Sequence, residues 1–199
     1  MKTVIKFDKR AIQEKVLSSK QFKSAVEREV LKKFKAAKNN FMESFSAHKV
    51  SQELAAGKKA ANISGSLSGE GNLFTFIGFE DGGENPIISL NNFLKQSFGD
   101  PKITSRKGTL FRLSMNVPTK EEIENATPLP YESGRSWVRG IEYGISGIGF
   151  YFYSKKQEIE NSRSTLGIQS KYKIRGGNFS NQSYLSPLLK KLYKEIGIR

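Results

Sequence analysis

A chain of 199 residues with 37% hydrophobic residues and 14 phenylalanines is long enough to bury one good core. It has no cysteine, which excludes a disulfide framework, a thiolate metal site and a thiol nucleophile. Its 33 Lys and Arg against 19 Asp and Glu give a net charge of +14, with residues 1–60 and 135–199 basic and 61–134 slightly acidic, a pattern that fits nucleic-acid contact, head-to-tail subunit contact, or solubility alone.

The first ten residues, MKTVIKFDKR, lack the apolar region of a signal peptide and read as a strand through Val4, Ile5 and Phe7. No apolar run approaches the ~20 residues of a membrane span, so a soluble chain made in the cytoplasm is expected. Asp8 is placed to cap a short helix through Ala11 to Val16. From Ser19 to Val50, Phe22, Val26, Val30, Phe34, Ala37, Phe41 and Phe45 recur in steps of three or four and predict one helix of about seven turns, roughly 40 Å long. Its other face is mostly cationic, with Lys23, Arg28, Lys32, Lys33, Lys35 and Lys38. A rod that long needs a sheet beneath it, or a partner.

Ser51, Glu53 and Leu54 offer one further turn. GKKAANISGSLSGEG (57–71) is small and polar and reads as an exposed, mobile loop, the kind of segment on which partner contacts are placed. NLFTFIGFE (72–80) is apolar on both pleat faces and predicts a central strand. Pro86 opens a helix with Ile87, Leu90, Phe93 and Leu94 inward and Gly99 just past its end. Thr109 to Val117 alternates Phe111, Leu113, Met115 and Val117 with Arg112, Ser114 and Asn116, as a strand with one packed face does. Thr119 and Glu122 have the spacing of a capping box. The glycines of SGRSWVRGIEYGISGIG (133–149) suggest a turn and bulges. Strands follow at 147–153 and 166–174, joined by a polar loop near 155–165, and Ser186-Pro187 starts a closing helix with Leu188, Leu189, Leu192 and Ile196. The expected fold is a single α+β domain over 1–199. It has a small, mostly antiparallel sheet, one long N-terminal helix packed across it and a short C-terminal helix.

Catalytic chemistry is sparse in the residues. The one histidine, His48, stands at the end of the long helix, where the helix C-terminus favours its charged form, and no nucleophile-elbow motif accompanies it. Glu80, Asp81 and Glu84 lack the spacing of a calcium loop and read as a solvated hairpin end. A nuclease built on Asp100-Pro101-Lys102 lacks the second acid on the adjoining strand. No catalytic residue, metal or cofactor is expected. Trp137, between Arg135 and Arg139, could stack a base, with ordinary packing as the competing explanation.

Three segments, ELAAGKKAANISGSLSGEGNLFTFIGFEDGGENPI (53–87), SGRSWVRGIEYGISGIG (133–149) and SRSTLGIQSKYKIRGGNF (162–179), together with the long helix, resemble virion structural proteins of tailed bacteriophages, of the neck, head-tail connector or tail-completion type. The resemblance implies a non-enzymatic subunit of a ring that joins the head portal or adaptor to the tail, located in the virion and, during assembly, in the host cytoplasm. Its partners would be other copies of itself and the neighbouring neck, portal, adaptor, tail-tube or terminator proteins. DNA would pass without being read, and no membrane is involved. Candidate interface or lumen-facing residues are Lys32, Lys35, Lys58, Lys59, Lys155 and Lys156, with Arg135, Trp137 and Arg139. The alternatives are a sequence-neutral nucleic-acid-binding protein and a small hydrolase or nuclease.

Overall fold

A computed structural model describes residues 8–68, 71–80, 82–107, 110–144, 152–153, 167–168 and 179–198. The strand expected through Val4 and Phe7, the loop near 155–165 and most of the strands at 147–153 and 166–174 lie outside them.

The fold is α+β, as its periodicities predict. Helix α1 (Lys9–Ser18) is followed by the long α2 (Lys20–Ala47), whose start is fixed by Ser19: its side chain accepts from the Phe22 amide at 3.2 Å. The predicted rod ends three residues early because the apolar step from Phe45 to Val50 is five, which no helical face can follow. His48 takes an extended conformation there and begins α3 (Lys49–Ala55), and a 3₁₀ turn at Gly57–Lys59 follows.

The segment expected as a central strand is instead helix α4 (Leu73–Ile77). Asn72 caps it by accepting from the Thr75 amide, and Gly78, at φ +95°, stops it. Four apolar residues among the five of LFTFI fit either period, so the caps decide. Helix α5 (Pro86–Ser97) forms as predicted behind the Asn85 cap. Gly99, expected as its terminator, opens strand β1 (Gly99–Lys107), which pairs antiparallel with the predicted β2 (Leu110–Asn116).

The capping box of α6 (Lys120–Asn125) is complete. Next, β3 (Pro128–Leu129) pairs with β4 (Glu132–Ser136) across a register shift, and Ser136 caps helix α7 (Trp137–Tyr143), while 145–149 of the glycine-rich stretch lie outside the described residues. In β5 (Phe152–Tyr153) and β6 (Gly167–Ile168) the two late strands pair antiparallel, and α8 (Leu185–Ile196) closes the chain.

Among the described residues the three strand pairs are antiparallel, but the core belongs to the helices. Phe34, Ala37, Phe41 and Phe45 of α2 pack with Val50, Leu54, Leu73, Ile77, Leu90, Leu94, Ile141, Leu189 and Leu192 in one cluster. The segment read as an exposed loop, 57–71, is tied to it by a buried acid. Glu53, fully buried on α3, accepts at Oε1 from Asn62 Nδ2 (2.9 Å) and the Leu73 amide (2.8 Å), and at Oε2 from the Ser64 amide (2.9 Å). Ser66, Leu67 and Asn72 are consequently buried as well. Asn72 closes the base of the loop by donating Nδ2 to the carbonyls of Gly57 and Ala60. Asn72→Ala removes both the α4 cap and this clasp, so an expected loss of about 2–3 kcal/mol should appear as a lower urea midpoint.

Candidate interaction surface

The outer half of α2 carries a surface set apart from the core. Full burial on this helix begins only at Phe34, and upstream of it Phe22, Val26 and Val30 are half-buried. One side of that stretch is covered by the β1–β2 hairpin. Phe98, at the hairpin's base, packs edge-on to Phe34 and Phe41 with ring centroids 6.1 and 5.9 Å away, and Phe111, near its tip, meets Phe22 at 6.0 Å. Phe22 and Phe34 are roughly 18 Å apart along the helix axis, so the hairpin runs beside α2 from the core outward.

A two-stranded ribbon and one helix make a thin pair of layers. Leu113, on the pleat face of Phe111 and Met115, remains 37% exposed, and Leu110 is 72% exposed. On α1, Ile12 and Val16, one turn apart, are about half exposed. The first half of α2 and the hairpin thus form an arm whose apolar seam, Phe22, Val26 and Val30 with Phe111 and Leu113, is incompletely covered, and α1 continues the chain from its end.

The arm is also basic: residues 8–33 hold eight Lys and Arg against four acids, and 99–116 hold four against one. Lys32 and Lys35 fall with Arg28 on one helix face at spacings of four and three. All three are exposed and, among the described residues, have no ionic partner.

The other predicted residues scatter. Lys58 and Lys59 are exposed on the 3₁₀ turn after α3, and Lys155 and Lys156 lie outside the described residues. Arg135 and Arg139 share a groove of about 960 Å³ between β4, α6 and α7, with Glu121, Glu124 and Tyr143 on its walls. Arg135 pairs with Glu132 at 3.0 Å, and Arg139 lies 3.5 Å from Glu124. Lys120 donates to the Tyr143 hydroxyl at 2.6 Å, which raises the lysine and lowers the phenol from their ordinary pKa values. Glu121 is exposed and has no partner among the described residues.

For Trp137 ordinary packing is what the structure shows, and its expected place at an interface or lumen is corrected. It is 2% exposed, edge-on to Phe79 at 5.9 Å and beside Tyr184 at 6.5 Å, so it cannot stack a base or face a lumen. Only its neighbours two residues away on either side reach solvent.

His48 is equally committed to structure. Nδ1 accepts from the Val50 amide at 3.3 Å as the cap of α3, Nε2 meets the Ser183 carbonyl at 3.1 Å, and the ring lies 4.9 Å from Tyr184. An acceptor at Nδ1 and a donor at Nε2 define the neutral imidazole. Burial lowers its pKa below the ordinary 6.5, against the opposing pulls of the Ser183 carbonyl and the Glu142 charge. The expected charged form at a helix end is thereby reversed. Because the folded value is depressed, this contribution to stability is complete above pH 6.5 and is lost as the pH falls through the folded value. His48→Asn keeps a capping acceptor and removes the titration. Its melting temperature should fall less than the wild type's between pH 7.5 and pH 5.5, and identical profiles would refute this role for His48.

Two acids that sequence reasoning missed hold the frame. Glu53 ties down the loop, and Glu142 caps α8 from 42 residues away, accepting from the amides of Tyr184 and Ser186 and from the Ser186 hydroxyl. Neither has a local spacing signal. The nearest clue is that Ser186-Pro187 lacks an acid of its own in the first turn.

Among the described residues no three His, Asp or Glu side chains gather where they could hold a metal ion, and no helix is long and apolar enough to cross a membrane. Comparison of the chain with family models, curated proteins and solved structures finds no match.

Proposed function

We propose that this chain is a structural subunit of a bacteriophage virion, one of the copies that form a ring in the neck between the head portal or adaptor and the tail, and that its role is assembly and not catalysis. The observation that carries the reading is the basic arm, whose apolar seam its own domain leaves half open. An element of that shape is suited to a neighbouring subunit. The hydrogen-bonded settings of His48, Glu53 and Glu142 agree with this, because each is used to hold backbone in place. The sequence segments around 53–87, 133–149 and 162–179 supply the likeness to neck proteins.

The test is assembly. Mixed with the products of its genomic neighbours, the chain is expected to give closed rings by negative-stain microscopy and mass photometry. A lasting monomer that binds none of them would overturn the reading.

A second reading, sequence-neutral nucleic-acid binding, is favoured by the exposed row Arg28, Lys32 and Lys35. It requires DNA affinity that falls steeply with salt, by a log-log slope of about −0.9 for each phosphate neutralised. A flat response would remove it.

A further inference from the structure

Helix α8 meets α2 along one flank, where Asn40 donates to Glu195 at 3.5 Å, and its opposite flank lines a separate groove of about 730 Å³. Leu189, Tyr193 and Gly197 recur there in steps of four, as one helix face does, and Ile198 extends the row past the helix end. From Ser186 to Gly197 the groove runs roughly 17 Å. Its floor is apolar: Leu189 is buried at the bottom, Tyr193 is half-buried, and Ile198 is left 41% exposed. Tyr193 ties this flank to the start of α6 by donating its hydroxyl to the Pro118 carbonyl at 2.8 Å.

The charged residues that line the groove are Lys120, Lys190 and Lys194, with no acid among them. Lys190 and Lys194, one turn apart, are exposed and have no ionic partner among the described residues. The acids near the α6 end are engaged elsewhere: Glu122 accepts from the Thr119 amide, Glu124 faces Lys120 and Arg139, and Glu142 caps α8. Charge is therefore answered at the α6 end and left over along α8.

An apolar floor under a cationic rim selects an occupant that is apolar on one side and anionic on the other. An extended peptide would find no backbone partners, because α8 spends its amides and carbonyls on its own turns and caps. A helix brings its backbone bonds with it. Nucleic acid would answer the lysines, but the one ring among the lining residues, Tyr193, is held by Pro118, and the rest of the floor offers its bases nothing to stack on.

We propose that this groove receives an acidic amphipathic helix of a partner protein, its apolar residues laid on Leu189, Tyr193 and Ile198 and its carboxylates set against Lys190 and Lys194. The groove shares no residue with the arm, and its occupant is required neither by ring closure nor for it.

A displayed library of random peptides of about 16 residues, long enough for four helical turns, tests the assignment when selected on the wild-type chain at ~50 mM salt. The enriched sequences should be rich in Asp and Glu with Leu, Ile or Phe at helical spacing. Synthetic copies should gain helicity on binding and lose at least about tenfold in affinity by ~500 mM salt. Lys190→Glu with Lys194→Glu, and separately Ile198→Asp, should each weaken binding at least about tenfold with circular dichroism unchanged, since all three positions are exposed. Should the charge reversal fray the end of α8, Lys190→Gln with Lys194→Gln replaces it, with an expected loss of at least about threefold.

The inference is overturned if no sequence is enriched, if the enriched peptides are basic or bind without becoming helical, or if the lysine variant binds them as tightly as the wild type. Binding of an oligonucleotide or of phosphatidylglycerol vesicles that the lysine variant abolishes, with no peptide enriched, would likewise overturn it and give the groove to phosphate.

Discussion

Glu53→Ala is expected to cost about 4 kcal/mol or more, enough to unfold a large fraction of a domain whose whole stability is of order 5–15 kcal/mol. The carboxylate is fully buried and serves three donors: the amides of Ser64 and Leu73 and the side-chain amide of Asn62. Its removal leaves the Ser64 and Leu73 amides without acceptors, each at a cost of about 1–3 kcal/mol, while Asn62 Nδ2 keeps the Ser64 and Ser66 hydroxyls. The damage spreads because Asn62 also accepts from the Leu67 amide at 2.9 Å, so loss of its anchor loosens the whole turn from Asn62 to Leu67. Glu53→Gln separates hydrogen bonding from shape. An amide oxygen placed at the Oε1 position keeps Asn62 and Leu73, but its NH₂ then faces the Ser64 amide, donor against donor. An intermediate loss of about 1–3 kcal/mol follows. Urea denaturation followed by tryptophan fluorescence would rank the three chains. A Glu53→Ala protein as stable as the wild type would show that the loop does not depend on this acid.

The same residue shows where sequence reading ends. Periodicity found α2, α5, β2 and α8 because each repeats an apolar position often enough for one period to win. Local capping chemistry located the Thr119–Glu122 box, whose partners are three residues apart. Neither signal reaches Glu53 and Leu73, 20 residues apart, or Glu142 and Ser186, 44 apart. A polar residue whose partner lies far along the chain reads as a surface residue, which is why 57–71 looked like an open loop. Residues 72–80 failed for a different reason: LFTFI satisfies both periods, and Asn72 and Gly78 tipped it to a helix. The arm was half legible, since the cationic face and length of α2 were plain, but its partner strand β1, GDPKITSRK, is too polar and irregular to announce itself. Of the nearby trio Arg135, Trp137 and Arg139, alternation of exposure followed from the Ser136 cap, which turns Trp137 inward at the first position of α7.

Trp137→Ala should be nearly as damaging as the loss of Glu53, at about 3–5 kcal/mol. The indole is almost fully enclosed, edge-on to Phe79 and tilted against Tyr184, and Tyr184 in turn joins the Ser51 hydroxyl at 2.8 Å and packs on His48. Emptying the position opens a cavity beside Phe79 and Tyr184, next to the Glu142 cap that ties α7 to the start of α8. Arg135→Ala and Arg139→Ala, by contrast, remove exposed ion pairs and should stay within about 0.5 kcal/mol of the wild type. This contrast separates two views of the trio. If Trp137 were a stacking platform, alanine there would leave stability untouched and abolish binding of single-stranded DNA. As it is the sole tryptophan, its emission reports directly: it should be blue-shifted in the native chain, unquenched by added oligonucleotide at any salt concentration, and red-shifted only on unfolding. Quenching by oligonucleotide in the folded protein would put the indole at the surface and remove the packing role assigned to it. With emission unchanged, DNA contact by this chain would have to use the exposed cations of the arm.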